Sequence, residues 1–443
     1  VIIKDGIICG VGSYSGENEQ DVSGKYIMPG FIDSHVHIES SMTQPSEYAK
    51  AVMPHGITTV IADPHEITNV CGEDGLEFML KSAENIPLDV NLMLPSCVPA
   101  TPFEHTGANL DAKTTQKLAP KFFGIGEMMN YPGIVSGDDE TLGKLCLDII
   151  DGHAPLLSGH ELDAYASAGI KTDHECSVIE EMTEKISKGM YILLREGTLS
   201  LDVAKLIKGV TPYTLRRCAF CTDDRFVGEI IRDGSIDHCI RKAVSLGLNN
   251  IDAIIMATLN ACEMYGMKNK GAIAPSYVAD IVVADDLNLS SISQVYKNGK
   301  LVCENGKALF ECETVDNSKV TNTVHLPKIS ADFFKTDVKD KFDAIELIPE
   351  SIITKKVTVS YSDSLSKVCV IERHHNLGTK GIGFVTNYGI TNGAIATSIG
   401  HDSHNVIVIG DNDSDMALAV NTLATSGGIA VCSEGKVIAS MTL

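Results

Sequence analysis

Apolar runs alternate with helix-like stretches through much of the chain. Residues 56–63 form a continuous apolar run typical of a buried strand, and residues 44–53 and 75–85 have helical patterns. Further helices are predicted over 237–246 and 250–265. Such alternation over about 250 residues predicts an α/β fold, a parallel barrel or a doubly wound sheet. No Gly-x-Gly-x-x-Gly lies between a strand and a helix, which argues against a dinucleotide fold.

Two hairpin patterns flank this alternating region. Apolar residues surround the turn pair Asp5-Gly6, and a similar pattern recurs over 295–302 after a predicted strand at 280–284. We therefore predict a small β-domain built from residues 1–26 and 276–312, with the barrel occupying 27–275. The chain begins with Val1 rather than Met, and the first hairpin starts inside this domain, so we expect a preceding N-terminal piece.

The remaining residues, 313–443, are predicted to form a C-terminal domain. Its first part, to about residue 350, is polar and irregular and has the composition of a linker with short pieces, including the charged stretch 335–343. Beyond it we predict strands and one helix, which starts at an Asp or Asn and stops at a Gly pair. The strands are predicted over 368–372, 393–397 and 405–410, and the helix over 413–425.

Composition restricts the classes of partner and the compartment. The net charge of −22 argues against binding to nucleic acid or to anionic membranes, because both need a basic face. No apolar stretch approaches the roughly 18–20 residues of a spanning helix, and no signal-peptide pattern opens the chain. Many of the 13 cysteines lie in apolar runs (Cys9, Cys146, Cys369 and Cys432), which predicts buried free thiols in a reducing compartment, the cytoplasm.

Candidate metal ligands stand at the ends of the apolar runs. In a strand, the period of two points His35 and His37 to the same side, and imidazole suits Zn, Fe, Ni or Cu better than Mg or Ca. Taken singly, each later candidate could be a cap, an ion pair or a core residue. Together they predict a two-metal site at the strand ends of a barrel. His35 and His37 are assigned to one ion, His153 and His174 to the other, Glu127 as the bridge, and Asp223 completes the set.

A second metal-binding motif is only partly present in the chain. His37-Ile-Glu39 and Cys218-Ala-Phe-Cys221 together imitate the signature of single-zinc nucleobase deaminases. Arg217 stands where that signature has proline, and the two halves lie far apart in the chain. We therefore interpret both cysteines as strand packing.

Longer motifs carry a family resemblance. The run Pro29-Gly-Phe-Ile-Asp33 before the His pair resembles the first barrel strand of the amidohydrolase superfamily. Further segments, from about residue 26 to about residue 432, resemble the adenine deaminase family: 61–67, 126–130, 151–155, 172–175, 221–225, 372–375 and 401–405. In that superfamily, other members often carry a carboxylated lysine at the position of Glu127.

This resemblance implies a fold and a reaction. The expected fold is a (β/α)8 metallo-dependent hydrolase barrel with a small flanking β-domain and an additional C-terminal α/β domain. The expected reaction is hydrolytic deamination of adenine to hypoxanthine and ammonia in purine salvage, by a metal-bridged hydroxide. The resemblance points to two divalent ions, Mn or Fe, while the histidine-rich ligand set also allows Zn.

The expected chemistry assigns roles to several further residues. Asp223 is suited to take the proton of the water and pass it to the leaving amine. A second acid must protonate a purine ring nitrogen, and Glu66, His65 and Glu175 all remain open for it. For Glu66, a plain helix-start carboxylate after Pro64 is an equally good interpretation.

Substrate contacts are predicted in two places. Glu175 and Asp224 neighbour proposed ligands, and His401, Ser403 and His404 are interpreted as a hydrogen-bonding lid over a flat polar ligand. A separate metal site made of His374, His375, His401 and His404 is the alternative. We expect the partner to be a small purine and the chain to form a homodimer.

Two other functional classes remain open from the sequence. One is an amidohydrolase that acts on a cyclic amide or ureide, which would share the barrel ligands. The other is a non-catalytic scaffold on the same fold, which the presence of all six candidate ligands disfavours.

Overall fold

The computed structural model describes residues 1–337, 340–349, 353–360, 362 and 365–443. The described chain divides into two compact units. The first unit contains Val1–His65, Met79–Cys97 and Leu110–Val315. The second contains Glu66–Phe78, Val98–Asn109 and Asp316–Leu443.

Parallel strands form the centre of the first unit. They pair in chain order within a five-stranded and a three-stranded sheet. The first sheet contains Phe31–Val36, Ile57–Ala62, Asp89–Leu94, Gly124–Met128 and Ile150–Gly152, and the second contains Thr172–Asp173, Tyr191–Arg195 and Cys218–Cys221. We number these strands one to eight.

Hydrogen bonds between the two sheets close the barrel. Asp223 N donates to His35 O at 3.0 Å, beside a parallel bridge between Val36 and Asp223, which joins strand eight to strand one. Lys171 N donates to Ile150 O at 3.4 Å and joins strand five to the start of strand six. The parallel strands therefore form the predicted barrel rather than an open sheet.

The barrel strands are apolar because both of their faces are covered. Every residue of strands one, two, four and eight is buried. Cys221 packs in a core cluster with Ile32, Leu193 and Ala219, and Cys218 is also buried in strand eight. Strand packing is therefore confirmed for both cysteines.

Helices follow most barrel strands. Their bounds are Pro45–Val52, His65–Ser82, Ala112–Leu118, Tyr131–Ser136, Asp139–Gly143, Gly159–Ser167, Ile179–Ser187, Val203–Leu206, Val227–Asp233, Ile236–Ser245, Asn250–Met256 and Leu259–Met264. Short 3-10 turns occur at Ile38–Ser41, Met53–His55, Ala119–Lys121, Ile207–Gly209, Leu215–Arg217 and Ala331–Phe334. The helical span His65–Ser82 is interrupted by the non-helical backbone of Gly72 (φ 57°, ψ −135°), and its part after Gly72 corresponds to the helix predicted over 75–85. The helix predicted over 250–265 is two helices.

A small antiparallel sheet combines segments from both sides of the barrel in sequence. Its strand order is Lys307–Ala308, Lys300–Glu304, Ile292–Lys297, Ile281–Ala284 and Tyr26–Pro29. The first hairpin, Ile2–Lys4 with Ile7–Gly10, turns at Asp5 and Gly6, which both have positive φ (52° and 78°), as a type I′ turn requires. The domain boundaries proposed from the sequence remain predictions.

The second unit contains an eight-stranded sheet. Its strand order is Thr354–Ser360, Lys341–Leu347, Lys380–Thr386, Ser366–Ile371, Val406–Gly410, Gly393–Thr397, Ile429–Ser433 and Lys436–Met441. Helix Asp413–Leu423, capped by the Asn412 side chain, packs Met416 and Val420 into the core of this unit. The three predicted strands and the predicted helix of this region are confirmed to within a few residues.

Part of the predicted linker is a strand. Lys341–Leu347 pairs with Thr354–Ser360 on one side and with Lys380–Thr386 on the other. Ala344 alone among its seven residues is buried, so its sequence lacks the apolar character of a buried strand. Its hydrogen-bonding partners come later in the chain. Residues 338–339 and 350 of the predicted linker lie outside the described residues.

Two further sequence expectations concern cysteines and membranes. Cys9 and Cys146 are exposed, so the prediction that they are buried is wrong, whereas Cys369 and Cys432 are buried. Cys9 lies on the exposed face of strand Ile7–Gly10, whose residues alternate between exposed and buried, and Cys146 lies outside the helices and strands. Within the described part of the chain, helices long and apolar enough to cross a bilayer are absent.

Candidate metal centre

The ends of the barrel strands bring the six predicted ligands together. All six come from the C-terminal ends of strands or from the residues just beyond them, where a barrel presents its functional groups. His153 is partly exposed, and the other five are buried: His35, His37, Glu127, His174 and Asp223.

The first group of ligands surrounds the end of strand one. Nε2 of His35 and Nε2 of His37 lie 3.1 Å apart. Asp223 Oδ1 lies 3.0 Å from Nε2 of His37 and 3.6 Å from Nε2 of His35. Three potential ligand atoms therefore face one small space.

Glu127 lies between this group and the second pair of histidines. Its Oε2 is 2.6 Å from His153 Nδ1 and 3.1 Å from His174 Nε2. Its Oε1 is 3.4 Å from His37 Nε2. Each oxygen of one carboxylate thus faces a different histidine pair, the arrangement that a bridging ligand needs.

Asp63, which the sequence reasoning missed as a site residue, orients two of these ligands. His37 Nδ1 donates to the Asp63 carbonyl at 2.8 Å, which leaves His37 Nε2 to accept or to ligate. The Asp63 carboxylate accepts from Glu127 N at 2.9 Å. A Cβ at Gly126 would lie 2.1 Å from Asp63 Oδ2, so only glycine permits this approach. Asp63 directly follows strand two, so the strand-end rule used for the ligands could have found it.

The charge distribution of the site fits a divalent cation. Burial opposes charge on the imidazoles, but Asp151 and Asp223 raise the pKa of His35 to about 10, and Glu127 raises the pKa of His153 to about 9. Burial likewise opposes charge on Glu127, yet the surrounding histidines lower its pKa well below the ordinary range. The carboxylates therefore attract positive charge, and imidazole nitrogens with carboxylate oxygens are a typical transition-metal ligand set. The residues present fit the metal centre that the sequence predicts.

Asp223 has a backbone conformation that is unusual for its residue type. Its φ is 54°, in the left-handed region, which costs a non-glycine residue on the order of 1 kcal/mol. This turn follows strand eight directly and carries the side chain toward His35 and His37. The neighbouring Asp224 instead accepts a hydrogen bond from Ser40 Oγ at 2.5 Å.

Three further side chains border the metal ligands. His65 Nδ1 lies 3.3 Å from Glu127 Oε1, so His65, one of the three candidates for the ring-protonating acid, is also placed to bind a metal. Glu175 Oε1 lies 3.5 Å from His174 Nε2. Arg195, also missed from the sequence, forms ion pairs with Glu175 and Asp223. Its signal is a lone charge at the end of an otherwise apolar run.

The remaining predicted site residues belong to the second unit. Within it, the buried Glu66 carboxylate contacts the imidazoles of His401 and His404. His374 Nε2 donates to the Ser403 carbonyl at 2.8 Å, and His375 Nε2 donates to the Thr106 carbonyl at 3.0 Å. Hydrogen bonds to backbone carbonyls therefore occupy one nitrogen each of His374 and His375. The predicted substrate contacts of His401, Ser403 and His404 stay predictions.

Two family models match successive parts of the chain. The family model described as Amidohydrolase family matches residues 26–302, and the one described as Adenine deaminase C-terminal domain matches residues 347–443. An N-acetyl-D-glucosamine-6-phosphate deacetylase structure from Mycobacterium smegmatis matches with a TM-score of 0.51 at 16% identity, over 68% of this chain and 94% of that one. That likeness supports the barrel fold alone.

Full-length relatives are considerably more similar in sequence. A protein named adenine deaminase from Clostridium acetobutylicum is 48% identical over 457 residues, which cover 98% of this chain and 80% of the relative. Another of that name from Halalkalibacterium halodurans is 44% identical, over 100% of this chain and 80% of the relative. With this identity over nearly its whole length and with both family models matched, the chain belongs to the adenine deaminase family of amidohydrolases.

Proposed function

We propose that this protein hydrolyses adenine to hypoxanthine and ammonia, as a metal-dependent aminohydrolase of purine salvage. The observation that carries the proposal is the convergence of four histidines, Glu127 and Asp223 at one end of a barrel, in a chain whose relatives bear the name adenine deaminase. The reaction adds one water to adenine and releases one ammonia.

The proposed centre holds two divalent ions, and Mn or Fe are preferred over Zn. His35, His37 and Asp223 would hold one ion, His153 and His174 the other, and Glu127 would be shared. When bound, such ions supply a strong nucleophile at neutral pH by acidifying a water molecule, and they stabilise developing negative charge.

Asp223 is the proposed proton shuttle. Its Oδ1 faces His35 and His37, while its Oδ2 accepts from Arg195 and retains a second lone pair. That lone pair would accept the proton of the attacking water and deliver it to the departing amino group, so that nitrogen leaves as ammonia. Attack at C6 of the purine makes this carbon tetrahedral before the C–N bond breaks.

Other residues are proposed to bind the purine and to protonate its ring. Glu175 lies beside His174, and Asp224 follows Asp223 in the chain. Both carboxylates would offer acceptors for N–H groups of the base. Glu66, His65 and Glu175 remain the candidates for the ring-protonating acid, and His401, Ser403 and His404 are proposed as further substrate contacts. A homodimer is part of the proposal, and light scattering of the purified protein would measure it.

The direct test is a substrate assay with controlled metal content. Purified protein loaded with Mn²⁺ or Fe²⁺ should convert adenine to hypoxanthine with one ammonia released per turnover, and should lose this activity when the metals are removed. Adenosine and a panel of cyclic amides and ureides serve as comparison substrates. Turnover of a cyclic amide with no turnover of adenine would replace the proposed reaction by another amidohydrolase activity.

A further inference from the structure

We infer that Arg195 is a positioning residue, whose hydrogen bonds fix the orientation of the Asp223 and Glu175 carboxylates for turnover. This inference rests on the proposed function and assigns a role to a residue outside the metal ligands.

Arg195 is placed between its two partners by the strand order. It is the last residue of strand seven, and this strand pairs in parallel with strand six, which leads to Glu175, and with strand eight, which leads to Asp223. Its side chain is only 5% exposed. A charge buried to this degree needs compensating partners, and Arg195 has three carboxylates.

The hydrogen bonds of Arg195 give the two oxygens of Asp223 different environments. Nη1 of Arg195 donates to Asp223 Oδ2 at 2.8 Å, whereas Asp223 Oδ1 faces the histidines. Rotation of the carboxylate would break the bond to the guanidinium. Arg195 therefore keeps one oxygen directed toward His35 and His37 and the other bound to the guanidinium.

The same nitrogen also holds Glu175. Nη1 of Arg195 donates to Glu175 Oε1, so one guanidinium joins two carboxylates that would otherwise repel each other. On its far side, Nε of Arg195 donates to Asp202 Oδ2 at 3.1 Å. Asp202 is itself fixed, because its N donates to the Arg195 carbonyl at 2.9 Å and its Oδ1 accepts from Lys205 at 2.7 Å.

A lysine could not reproduce this arrangement. The planar guanidinium presents donors in fixed directions, whereas an ammonium is a point charge on a flexible stem. Loss of Arg195 should leave the histidine ligands in place but let Asp223 and Glu175 move. Since a misplacement of about 1 Å can cost on the order of 100-fold in rate, we expect the effect mainly in kcat.

The test compares Arg195→Ala and Arg195→Lys with the control Arg241→Ala. Arg241 also pairs with a buried carboxylate of the first unit, Asp237, at 2.7 Å, but it does not contact the metal ligands. The readouts are kcat and KM for adenine, metal content after desalting, thermal stability, and rescue by added guanidinium ion.

Both Arg195 variants should lose on the order of 100-fold in kcat with a smaller change in KM and unchanged metal content. Millimolar guanidinium should restore part of the rate of Arg195→Ala and should not accelerate the wild type or Arg241→Ala. If Arg195→Ala does not fold, Arg195→Lys decides the question. A folded Arg195→Lys variant with kcat near wild type, or an Arg195→Ala variant that loses rate only by losing metal, would overturn the inference. A wild type inactive on adenine in the same assay would instead refute the proposed function.

Discussion

Lys185 and Asp173 form an ion pair in the interior of the first unit, with 2.9 Å between Nζ and Oδ2 and neither side chain exposed. Lys185 also donates to the Ala154 carbonyl at 2.7 Å, and Asp173 accepts from Glu175 N at 3.1 Å. The pair therefore ties together the segments that follow strands five and six. These segments carry His153 and His174, so the ion pair helps to hold two of the predicted metal ligands in place.

Lys185→Met should destabilise the protein strongly. Removal of one partner leaves the buried Asp173 charge uncompensated, which typically costs about 3–5 kcal/mol. Lys188→Met, one residue beyond the end of the same helix, is the matched control, because Lys188 pairs with the half-exposed Asp163 and should contribute little to stability. Urea unfolding of both variants measures the difference. Equal destabilisation by the two substitutions would contradict this account.

Metal content should approach two ions per chain. We expect this stoichiometry because the ligands form two histidine groups on either side of Glu127. Elemental analysis of protein loaded with excess metal and then desalted gives the number. His35→Ala and His174→Ala should each lower it. A content of one ion that neither substitution changes would rule out the two-metal centre.

Asp223→Asn should abolish most turnover, although the asparagine side chain has nearly the same shape as that of aspartate. The amide cannot accept the proton of the attacking water, so the rate should fall by roughly 10²–10⁴. Asp224→Asn is the comparison, because the Asp224 side chain accepts from Ser40 and is proposed to contact the base, so its change should raise KM more than it lowers kcat. An inactive Asp224→Asn beside an active Asp223→Asn would show that the proton shuttle is the other aspartate.

His404→Ala should lower kcat/KM for adenine without changing metal content. The imidazole contacts the Glu66 carboxylate inside the second unit, so its loss removes a partner from a buried acid that we propose acts on the substrate. The wild type should also prefer adenine to adenosine, because a site that surrounds a base leaves little room for ribose. Measurement of kcat/KM for adenine and for adenosine tests this preference. Equal kcat/KM for adenosine would refute the proposal that the site surrounds the base.

Stability should fall toward acid pH because of His374. Burial, together with the charge of Arg373, lowers the pKa of His374 from 6.5 to about 4. Between these values the unfolded chain takes up a proton that the folded chain excludes, so the free energy of unfolding decreases as pH falls below 6.5. Relative to His374→Asn, the wild type should lose about 1–2 kcal/mol between pH 7 and pH 5. Urea titrations at both pH values measure this, and a pH-independent difference would contradict it.

Much of the barrel and the six ligands could be predicted from the sequence. Strands buried on both faces are continuous apolar runs, and parallel strands share one carboxyl edge, so His35, Glu127 and Asp223 could be assigned to one site from their positions alone. Residues away from strand ends carry no such signal. Nothing in the sequence around Lys185 distinguishes it from Lys188, three positions later, whose side chain is only partly buried.

The sequence by itself determined which residue types stand at the strand ends, because this depends only on local apolar patterning and on the topology of a parallel barrel. Only the tertiary structure decided which oxygen of Glu127 faces which histidine, and that Arg195 joins Glu175 to Asp223. Those contacts depend on strand order, register and side-chain rotation, which are fixed by packing between segments distant in the chain. The strand Lys341–Leu347 shows the same limit, because pairing with later strands, rather than its own composition, makes it a strand.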